Sequence, residues 1–401
     1  MPKIKTDENK IKELLTRGVE EVIVKKELEE KLKSGKSLII KLGIDPSRPD
    51  LHLGHSVVLK KLKEFQNLGH HIILIIGDFT GMIGDPSGKS KTRPALSKEE
   101  VLKNAKTYFD QAGKILDLKK TEVRYNSAWF SAMGWEDILK LLSKFTAARI
   151  LERDEFSKRL KSGVDIAISE IMYPIMQAYD SVEIKADAEI GGTDQKFNML
   201  AGRELQKKMN MPPQNVLTVP LLIGLDGAQK MSKSLDNYIG VNESANSMFG
   251  KIMSIPDSLI LNYFTLLTDA SEKELEKIKE NLKNPKLNPR DAKARLAKEI
   301  VTMYHSANEA AKAEKEFNTI FRDKGIPSEI EEKKVESGRW KVAELLVELK
   351  LAPSKNEAKR LVESKAVEID GKIITDWKTA VEIKNGMVIR AGKRRFAKII
   401  I

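Results

Sequence analysis

The stretch SLIIKLGIDPSRPDLHLGHSVVLKKLKEFQNLGHHIILIIGD, residues 37–78, decides the fold. It begins with an apolar run at 37–44, continues in a helical pattern at 53–68 and ends in a second apolar run at 70–78. Short apolar runs separated by an amphipathic helix are typical of parallel strands joined by a crossover. The stretch therefore predicts a strand–helix–strand unit of an α/β protein.

Strand-like and helical segments continue to alternate beyond this unit. The strand-like segments lie near Val123, at 181–190 and at 217–223, and the helical segments lie at 135–159, 168–179 and 193–209. This alternation predicts a Rossmann-like, doubly wound parallel sheet with helices on both faces.

The chain is predicted to contain three domains and a linker. A nucleotide-binding catalytic domain spans 1–243, an all-helical domain 244–330, a polar linker 331–338 and a small α+β module 339–401. The last module has 15 basic and 8 acidic side chains, a net charge of +7 out of +12 for the whole chain. Because Lys and Arg neutralise phosphates, this excess favours an RNA partner, and a solvated Lys-rich surface is the alternative.

Composition excludes several classes of protein. The 401 residues include no cysteine, which excludes disulfides, thiolate-bound zinc, iron–sulfur clusters and a cysteine nucleophile. With 41% hydrophobic residues the chain has enough apolar material for a large core. It has no apolar run long enough to span a membrane and no secretion signal at its start, so we expect a cytoplasmic protein without membrane contact.

The tetrapeptide HLGH, from His52 to His55, lies where the first helix of the sheet domain is predicted to begin. Free backbone N–H groups and the positive end of the helix dipole favour an anion at this position. Gly54 lets a planar ligand approach the backbone, and two imidazoles three residues apart can both contact one phosphate. Two surface histidines at a helix cap are the alternative.

The pentapeptide KMSKS follows a predicted strand late in the same domain. Lys230 and Lys233 are suited to the negative charge of a leaving pyrophosphate, next to Met231, Ser232 and Ser234. For this pentapeptide alone, a solvated Lys-rich loop is the alternative. HLGH after an early strand and KMSKS after a late one rarely occur together by chance.

A third candidate, MYPIMQAYD, lies in a predicted helix. Its Tyr173, Gln177 and Asp180 lie at i, i+4 and i+7, so they share one face. A hydroxyl, an amide and a carboxylate beside apolar side chains are suited to a small polar aromatic ligand. A polar helix face turned to solvent is the alternative.

Loops at the predicted carboxyl edge of the sheet hold further polar residues. In GGTDQ, Gly192 permits close backbone approach and Asp194, next to Gln195, could hold a ribose hydroxyl, with a plain strand-to-helix turn as the alternative. Asp45 and Asp85 would bind an ammonium group or cap a turn.

The segment GDPSGKSKT, residues 84–92, is similar to a phosphate-binding loop. It fails as a Walker motif because Ile83 stands where that motif requires glycine. Lys89 and Arg93 remain candidates for phosphate contact from this loop.

Taken in order, these motifs resemble those of class I aminoacyl-tRNA synthetases, and more narrowly of bacterial tyrosyl-tRNA synthetases. The resemblance extends over essentially the whole chain: GIDPS, HLGH, GDFTGMIGDPSG, YPIMQAYDS, IGGTDQ, PLLIGLDGAQKMSKS and the basic terminal module. That module is similar to a small RNA-binding fold of a ribosomal protein. The intact KMSKS resembles a second bacterial subgroup of these enzymes.

The resemblance implies a role for each candidate residue. Catalysis falls to His52, His55, Lys230 and Lys233; ATP binding to Gly54, Gly192, Asp194, Lys89, Arg93, Met231, Ser232 and Ser234; and tyrosine binding to Thr80, Asp85, Tyr173, Gln177, Asp180 and Gln195. Asp45 joins the tyrosine-binding set from its place at the sheet edge. Asp180 would accept the phenolic hydroxyl. One departure is Lys41, which stands where the better-known bacterial form has a second phenol contact.

The resemblance also implies a reaction and its partners. A tyrosine–tRNA ligase would form tyrosyl-adenylate and pyrophosphate from tyrosine and ATP, and then transfer tyrosine to the 3′-terminal adenosine of tRNA(Tyr). ATP would be a substrate, Mg²⁺ would accompany ATP or pyrophosphate, and the protein itself would hold no metal. The helical domain would lie on the anticodon side of the tRNA, and the enzyme would be a homodimer.

Three alternatives stay open at this point. A tryptophanyl-tRNA synthetase is the nearest, but QAYDS and the terminal module favour tyrosine. A small-molecule adenylyltransferase would have no use for the helical domain and the basic module. An RNA-binding factor with an inactive synthetase fold is disfavoured because both phosphate motifs are intact.

Overall fold

The computed structural model describes residues 3–46, 50–87, 97–321, 330–392 and 395–401. The chain divides into two compact units, residues 1–306 and 307–401. Lys89 and Arg93 lie outside the described residues. Among those that are described, no helix is both long enough and apolar enough to cross a membrane.

The first unit consists of a sheet, the helices around it and a helical segment that follows. Its strands are β1 (Glu21–Ile23), β2 (Ile39–Ile44), β3 (His71–Ile76), β4 (Thr121–Tyr125), β5 (Ala188–Gly192) and β6 (Asn215–Val219). Its helices are α1 (Glu8–Leu14), α2 (Lys25–Lys33), α3 (Leu53–Leu68), α4 (Thr80–Ile83), α5 (Lys98–Ala112), α6 (Ser127–Phe130), α7 (Trp135–Leu142), α8 (Ala147–Leu151), α9 (Asp154–Lys161), α10 (Ile168–Glu183), α11 (Lys196–Lys208), α12 (Ala245–Met253), α13 (Ile260–Leu267), α14 (Glu272–Lys283) and α15 (Pro289–Tyr304).

The sheet has the strand order β1-β6-β5-β2-β3-β4. β1 pairs antiparallel with β6, and the other neighbours are parallel. β3 and β6 are almost continuously buried, as expected of parallel strands with helices on both faces. After β2 the chain adds β3 and β4 on one side of that strand, and then β5 and β6 on its other side. Such a reversal of strand order opens a crevice at the carboxyl ends of the neighbouring strands, here β2 and β5. The predicted doubly wound α/β fold is confirmed.

Helix α3 follows directly from its sequence. It spans the predicted residues 53–68, and His52 occupies its N-cap with a side chain that accepts from the N–H of Gly54. At its other end Gly69 has φ +96°, a left-handed conformation that favours glycine and ends the helix. The HLGH motif therefore lies at the first turn of a helix that begins beside the carboxyl end of β2.

The predicted strand at 181–190 is wrong in its first half. Helix α10 continues to Glu183, and only Ala188–Gly192 forms β5. Val182, Ile184, Ala186 and Ala188 are buried and alternate with polar residues, which is a strand pattern. These four residues nevertheless lie in three different structures: the last turn of α10, the connection that follows it, and the start of β5. β1, at the edge of the sheet, was not predicted.

The second unit begins with α16 (Ala307–Phe321) and forms its own core. Its further helices are α17 (Val342–Glu348) and α18 (Lys355–Glu363), and its strands are β7 (Glu332–Lys334), β8 (Arg339–Lys341), β9 (Val367–Ile369), β10 (Lys372–Ile373), β11 (Ala380–Glu382), β12 (Val388–Ala391) and β13 (Arg395–Ile400). Five strands form a sheet in the order β10-β9-β12-β13-β7, and β8 pairs with β11. β7 lies in the segment predicted as a linker and is bonded to β13, the last strand.

Candidate active site

The crevice at the carboxyl edge of the sheet contains a cavity of about 320 Å³. Most of the predicted site residues line it: Asp45, His52, Gly54, His55, Thr80, Asp85, Tyr173, Gln177, Asp180, Gly192, Asp194, Gln195, Lys230, Met231 and Ser232. Lys233 and Ser234 are not part of its wall. HLGH and KMSKS, far apart in the chain, are thus brought to one cavity together with Asp180.

We call His52, His55, Asp194 and Lys230 the imidazole cluster. The two histidine rings lie 4.0 Å apart between centroids. Nδ1 of His52 accepts from the N–H of Gly54 at 3.1 Å, and Nδ1 of His55 accepts from the N–H of His52 at 3.2 Å. Because each Nδ1 is an acceptor, the proton of each neutral ring lies on Nε2, which is left as a donor.

Both imidazoles are neutral at physiological pH. Burial holds the pKa of His52 far below its usual range, with His55 and the two lysines adding to the effect. Burial and the charge of Lys233 lower the pKa of His55 to about 4. The pair can therefore donate hydrogen bonds to an anion without carrying a charge of its own.

The KMSKS segment is held in place by specific contacts. Asn237 ties it together, since its Oδ1 accepts from the N–H of Ser232 at 2.8 Å and its Nδ2 donates to the carbonyl of Lys230 at 3.2 Å. Nζ of Lys230 lies 2.8 Å from Oδ2 of Asp194. Lys233 lies 3.9 Å from the Asp50 carboxylate. Both ammonium groups thus have carboxylate neighbours.

Gly192, at the end of β5, lies where the neighbouring side chains leave no room for a Cβ atom. A Cβ at this position would lie 2.8 Å from Oδ1 of Asp194 and 2.9 Å from the side chain of Leu221. Any larger residue would therefore displace Asp194 or narrow the cavity, which explains the glycine there.

We call Asp45, Thr80, Tyr173 and Asp180 the carboxylate cluster. The hydroxyl of Tyr173 donates to Oδ2 of Asp45 at 2.8 Å, and Oγ1 of Thr80 donates to Oδ1 at 2.9 Å. Burial and the charge of Asp45 raise the pKa of Tyr173 well above its usual value, so its hydroxyl stays protonated. Asp45, predicted only from its position, is thus held in the cavity wall by two neighbours.

Asp180 is buried and receives two donors that the sequence did not reveal. Nε1 of Trp129 donates to Oδ1 at 3.0 Å, and Nδ2 of Asn126 lies 3.5 Å from Oδ2. Burial raises the pKa of Asp180 to about 7, opposed first by the charge of Lys41 and then by these two donors. The carboxyl therefore titrates close to neutral pH.

Asp85 is held by a network at the start of the segment that follows α4. Nε2 of Gln195 donates to its Oδ2 at 2.6 Å, and the N–H and Oγ of Ser87 donate to its Oδ1 at 2.9 and 2.7 Å. The buried guanidinium of Arg153 lies 3.8 Å from the same oxygen and also donates to Ser87. Gln195 in turn accepts from Asn198 at 3.0 Å.

Several residues of this site were missed because no local pattern marks them. Trp129 and Asn126 support Asp180, Arg153 supports Asp85, and Asn237 supports KMSKS. Each lies on a segment whose sequence is that of an ordinary helix or turn. Of these four residues, only Asn237 could have been found from the sequence, because a polar residue just after KMSKS can close the turn with its side chain.

Two family models match the chain. The model described as tRNA synthetases class I (W and Y) matches residues 33–322, and that of the tyrosine–tRNA ligase SYY-like C-terminal domain matches 316–399. The fold and the site thus define a class I aminoacyl-tRNA synthetase of the tryptophan and tyrosine family.

Curated relatives and a solved structure narrow the assignment. The chain is 52% identical over 394 residues to the tyrosine–tRNA ligase of Thermotoga maritima, covering 98% of each chain. It is 52% identical over 398 residues to that of Carboxydothermus hydrogenoformans, covering 97% of each. The tyrosyl-tRNA synthetase of Archaeoglobus fulgidus, solved with L-tyrosine, superposes with a TM-score of 0.62 at 25% identity, covering 76% of this chain and 99% of that one.

The chain belongs to the bacterial tyrosine–tRNA ligases. Its activity is accordingly the ligation of tyrosine to tRNA, with ATP as a substrate. The family and the function predicted from the motifs are confirmed, and these relatives do not favour a tryptophan enzyme or an inactive RNA-binding factor.

Proposed function

We propose that the imidazole cluster and the carboxylate cluster bind different substrates during tyrosine activation. The observation that carries the proposal is that both clusters line one cavity at the switch point of the sheet. The imidazole cluster, with KMSKS, takes the triphosphate, and the carboxylate cluster, with Asp85, takes the amino acid. The L-tyrosine bound to the Archaeoglobus fulgidus relative supports tyrosine as the ligand.

The amino acid is recognised at both of its polar ends. Asp180 accepts the phenolic hydroxyl on the oxygen that Trp129 leaves open. The ammonium group is placed among the remaining acceptors: Asp45, Thr80, Asp85, Tyr173, Gln177 and Gln195. Both carboxylates of that set are already held by neighbours, so the ligand meets a formed site.

The nucleotide is recognised through its ribose and its phosphates. Asp194 and Gly192 hold the ribose, and Nε2–H of His52 and of His55 donates to phosphate oxygens beside Gly54. The pyrophosphate is contacted by Lys230, Met231, Ser232, Lys233 and Ser234. Lys89 and Arg93, which are not among the described residues, stay predicted phosphate contacts. Mg²⁺ enters with the nucleotide as a counterion of its phosphates.

The reaction needs no nucleophile from the protein. The tyrosine carboxylate forms a bond to the α-phosphorus of ATP while the bond from that phosphorus to the bridging oxygen breaks, and its electron pair leaves with pyrophosphate. A ribose hydroxyl of the tRNA then attacks the tyrosyl carbonyl and loses its proton. The bond from the carbonyl carbon to the phosphate oxygen breaks, and AMP leaves with its electron pair. Catalysis comes from positioning and from donors directed at the charge that develops.

We propose that the tRNA and a second subunit bind at surfaces of the chain other than the cavity wall. The basic module 339–401 and the predicted helical domain 244–330 are proposed to contact tRNA(Tyr), in a cytoplasmic homodimer. Exposed apolar side chains on α7 and at the start of α10 support the dimer: Trp135, Leu139 and Ile168 are 80%, 62% and 72% exposed.

The test is tyrosine-dependent ATP–pyrophosphate exchange, followed by transfer to tRNA. We expect exchange with tyrosine and none above background with tryptophan or phenylalanine. Deletion of 330–401, which removes β7 together with its partner β13, should retain exchange and impair transfer. Normal transfer by the truncated chain would contradict the role of the module, and exchange with tryptophan would contradict the amino-acid assignment.

A further inference from the structure

A lysine–glutamate pair lies buried behind the carboxylate cluster. Lys41 of β2 and Glu189 of β5 are register partners on neighbouring parallel strands, and Nζ of Lys41 lies 3.0 Å from Oε1 of Glu189. Their side chains are 0% and 2% exposed. Desolvation of two charges is costly, and well-packed apolar residues are often equally stable. A gain in stability therefore does not by itself account for the pair.

Both members of the pair hold the turn of α10 that carries Asp180. Lys41 donates to the carbonyl of Gln177 at 2.9 Å and to Oγ of Ser181 at 2.7 Å, so its three hydrogens have three acceptors. Glu189 accepts from Nε2 of Gln177 and from Oγ of Ser181, both at 3.2 Å. Gln177 and Ser181 lie one turn apart on one helix face, and Asp180 stands between them in sequence. The pair thus fixes the residues on either side of Asp180.

The charged and titratable groups that face Asp180 in the described chain come from three elements. They are Lys41 of β2, Glu189 of β5 and Tyr173 of α10 itself. The charge of Lys41 opposes the rise that burial causes in the pKa of Asp180, and the charge of Glu189 adds to that rise. Asn126 and Trp129, at the start of α6 and within it, contribute neutral donors to Asp180. Arg124 of β4 lies over the ring of Trp129.

We propose that Lys41, held by Glu189, is a positioning residue that favours the ionised form of Asp180 and keeps its side chain aligned, and thereby raises the selection of tyrosine over phenylalanine. This inference rests on the proposed role of Asp180. With phenylalanine bound, the oxygen of Asp180 that Trp129 leaves open does not gain the phenolic donor. That loss is penalised strongly for a buried carboxylate and less for a neutral carboxyl. Selectivity therefore depends on the charge of Asp180, and Lys41 supplies the positive charge that favours it.

The test measures kcat/KM for tyrosine and for phenylalanine by pyrophosphate exchange from about pH 6 to about pH 8.5. In the parent enzyme kcat/KM for tyrosine should rise with pH through a midpoint near 7, because the carboxylate is the competent form. Lys41→Met should move this midpoint upward by about one unit or more and reduce selectivity at pH 7 about tenfold. Glu189→Gln should move it downward, because a negative neighbour is lost.

A merely structural role would lower activity equally at every pH and would not give shifts of opposite sign. Lys61→Met is the matched control, since Lys61 is also a buried lysine with a glutamate partner, Glu64, but lies outside the cavity. Its midpoint should equal that of the parent. If Lys41→Met does not fold, Glu189→Gln decides alone, and a midpoint that stays or rises overturns the inference.

Failure of this inference can be told apart from failure of the proposed function. If Asp180→Asn loses selectivity while the Lys41 and Glu189 variants leave the midpoint in place, only the role of the pair is wrong. If Asp180→Asn retains full selectivity, the role of Asp180 is wrong and the inference falls with it.

Discussion

The imidazole cluster and the carboxylate cluster line one cavity, and their proposed ligands pose different recognition problems. His52 and His55 lie on a single helical turn, use backbone N–H groups to fix their rings, and keep Nε2 available. Asp180 is instead enclosed by side chains from α6, β2 and β5. A triphosphate offers many oxygens to any donor nearby, whereas tyrosine differs from phenylalanine by a single hydroxyl. The imidazole cluster should therefore control rate, and the carboxylate cluster should control selection.

Removal of the imidazole donors should have the largest effect. His52→Ala and His55→Ala should each lower the rate of tyrosyl-adenylate formation by about 10²–10³, the usual effect of losing a donor directed at developing charge. The ratio of kcat/KM for tyrosine and phenylalanine should stay unchanged, because neither histidine belongs to the proposed phenol site at Asp180. Single-turnover adenylate formation measures the first quantity and pyrophosphate exchange the second.

His71→Ala is the matched control, since His71 is an exposed histidine of β3 paired with Glu122 at 2.8 Å on the surface. It should leave both quantities at the parent level. A change of selectivity in the His52 or His55 variants would mean that the two clusters do not act separately.

In the carboxylate cluster, loss of the charge of Asp180 should reduce selection and not the rate. Asp180→Asn keeps the shape of the side chain but removes its charge, so selection of tyrosine over phenylalanine should fall about 10- to 100-fold, since a hydrogen bond to a charged group contributes about 1.5–3 kcal/mol. Glu170→Gln on the same helix is the control, because Glu170 is buried against Arg159 and does not line the cavity. Steady-state pyrophosphate exchange with both amino acids checks the ratio, and equal losses in both variants would refute the assignment to Asp180.

The two clusters also differ in how far the sequence could predict them. His52, His55 and Lys230 lie in short contiguous motifs, and the bounds of α3 follow from its cap and from Gly69. Their placement depends on local structure and on the carboxyl edge of the sheet, which the strand–helix alternation predicts. Most of the imidazole cluster can therefore be predicted from the amino-acid sequence alone.

The surroundings of Asp180 cannot be predicted in the same way. Trp129 belongs to a four-residue helix, and Lys41 meets Glu189 only through the register of β2 with β5. Residues so far apart in sequence carry no periodic pattern that relates them to one another. The alternation at 181–190 even predicted a strand where α10 ends, because burial with period two can arise from a helix end followed by a strand.

The smallest effect is expected behind the imidazole cluster, where the helical segment supports α3. The hydroxyl of Tyr304, at the end of α15, donates to Oγ of Ser56 at 2.6 Å, and Ser56 directly follows His55. Both side chains are buried, so Tyr304→Phe should reduce the free energy of unfolding by about 0.5–1.5 kcal/mol, the usual net contribution of one hydrogen bond. Urea denaturation of the two proteins gives this difference. Because the HLGH backbone keeps its own hydrogen bonds, adenylate formation should fall less than about threefold, far below the loss in His55→Ala. A fall as large as that of His55→Ala would show that the rate depends on the helical segment as much as on the imidazoles, and the imidazole cluster would then have to include Tyr304.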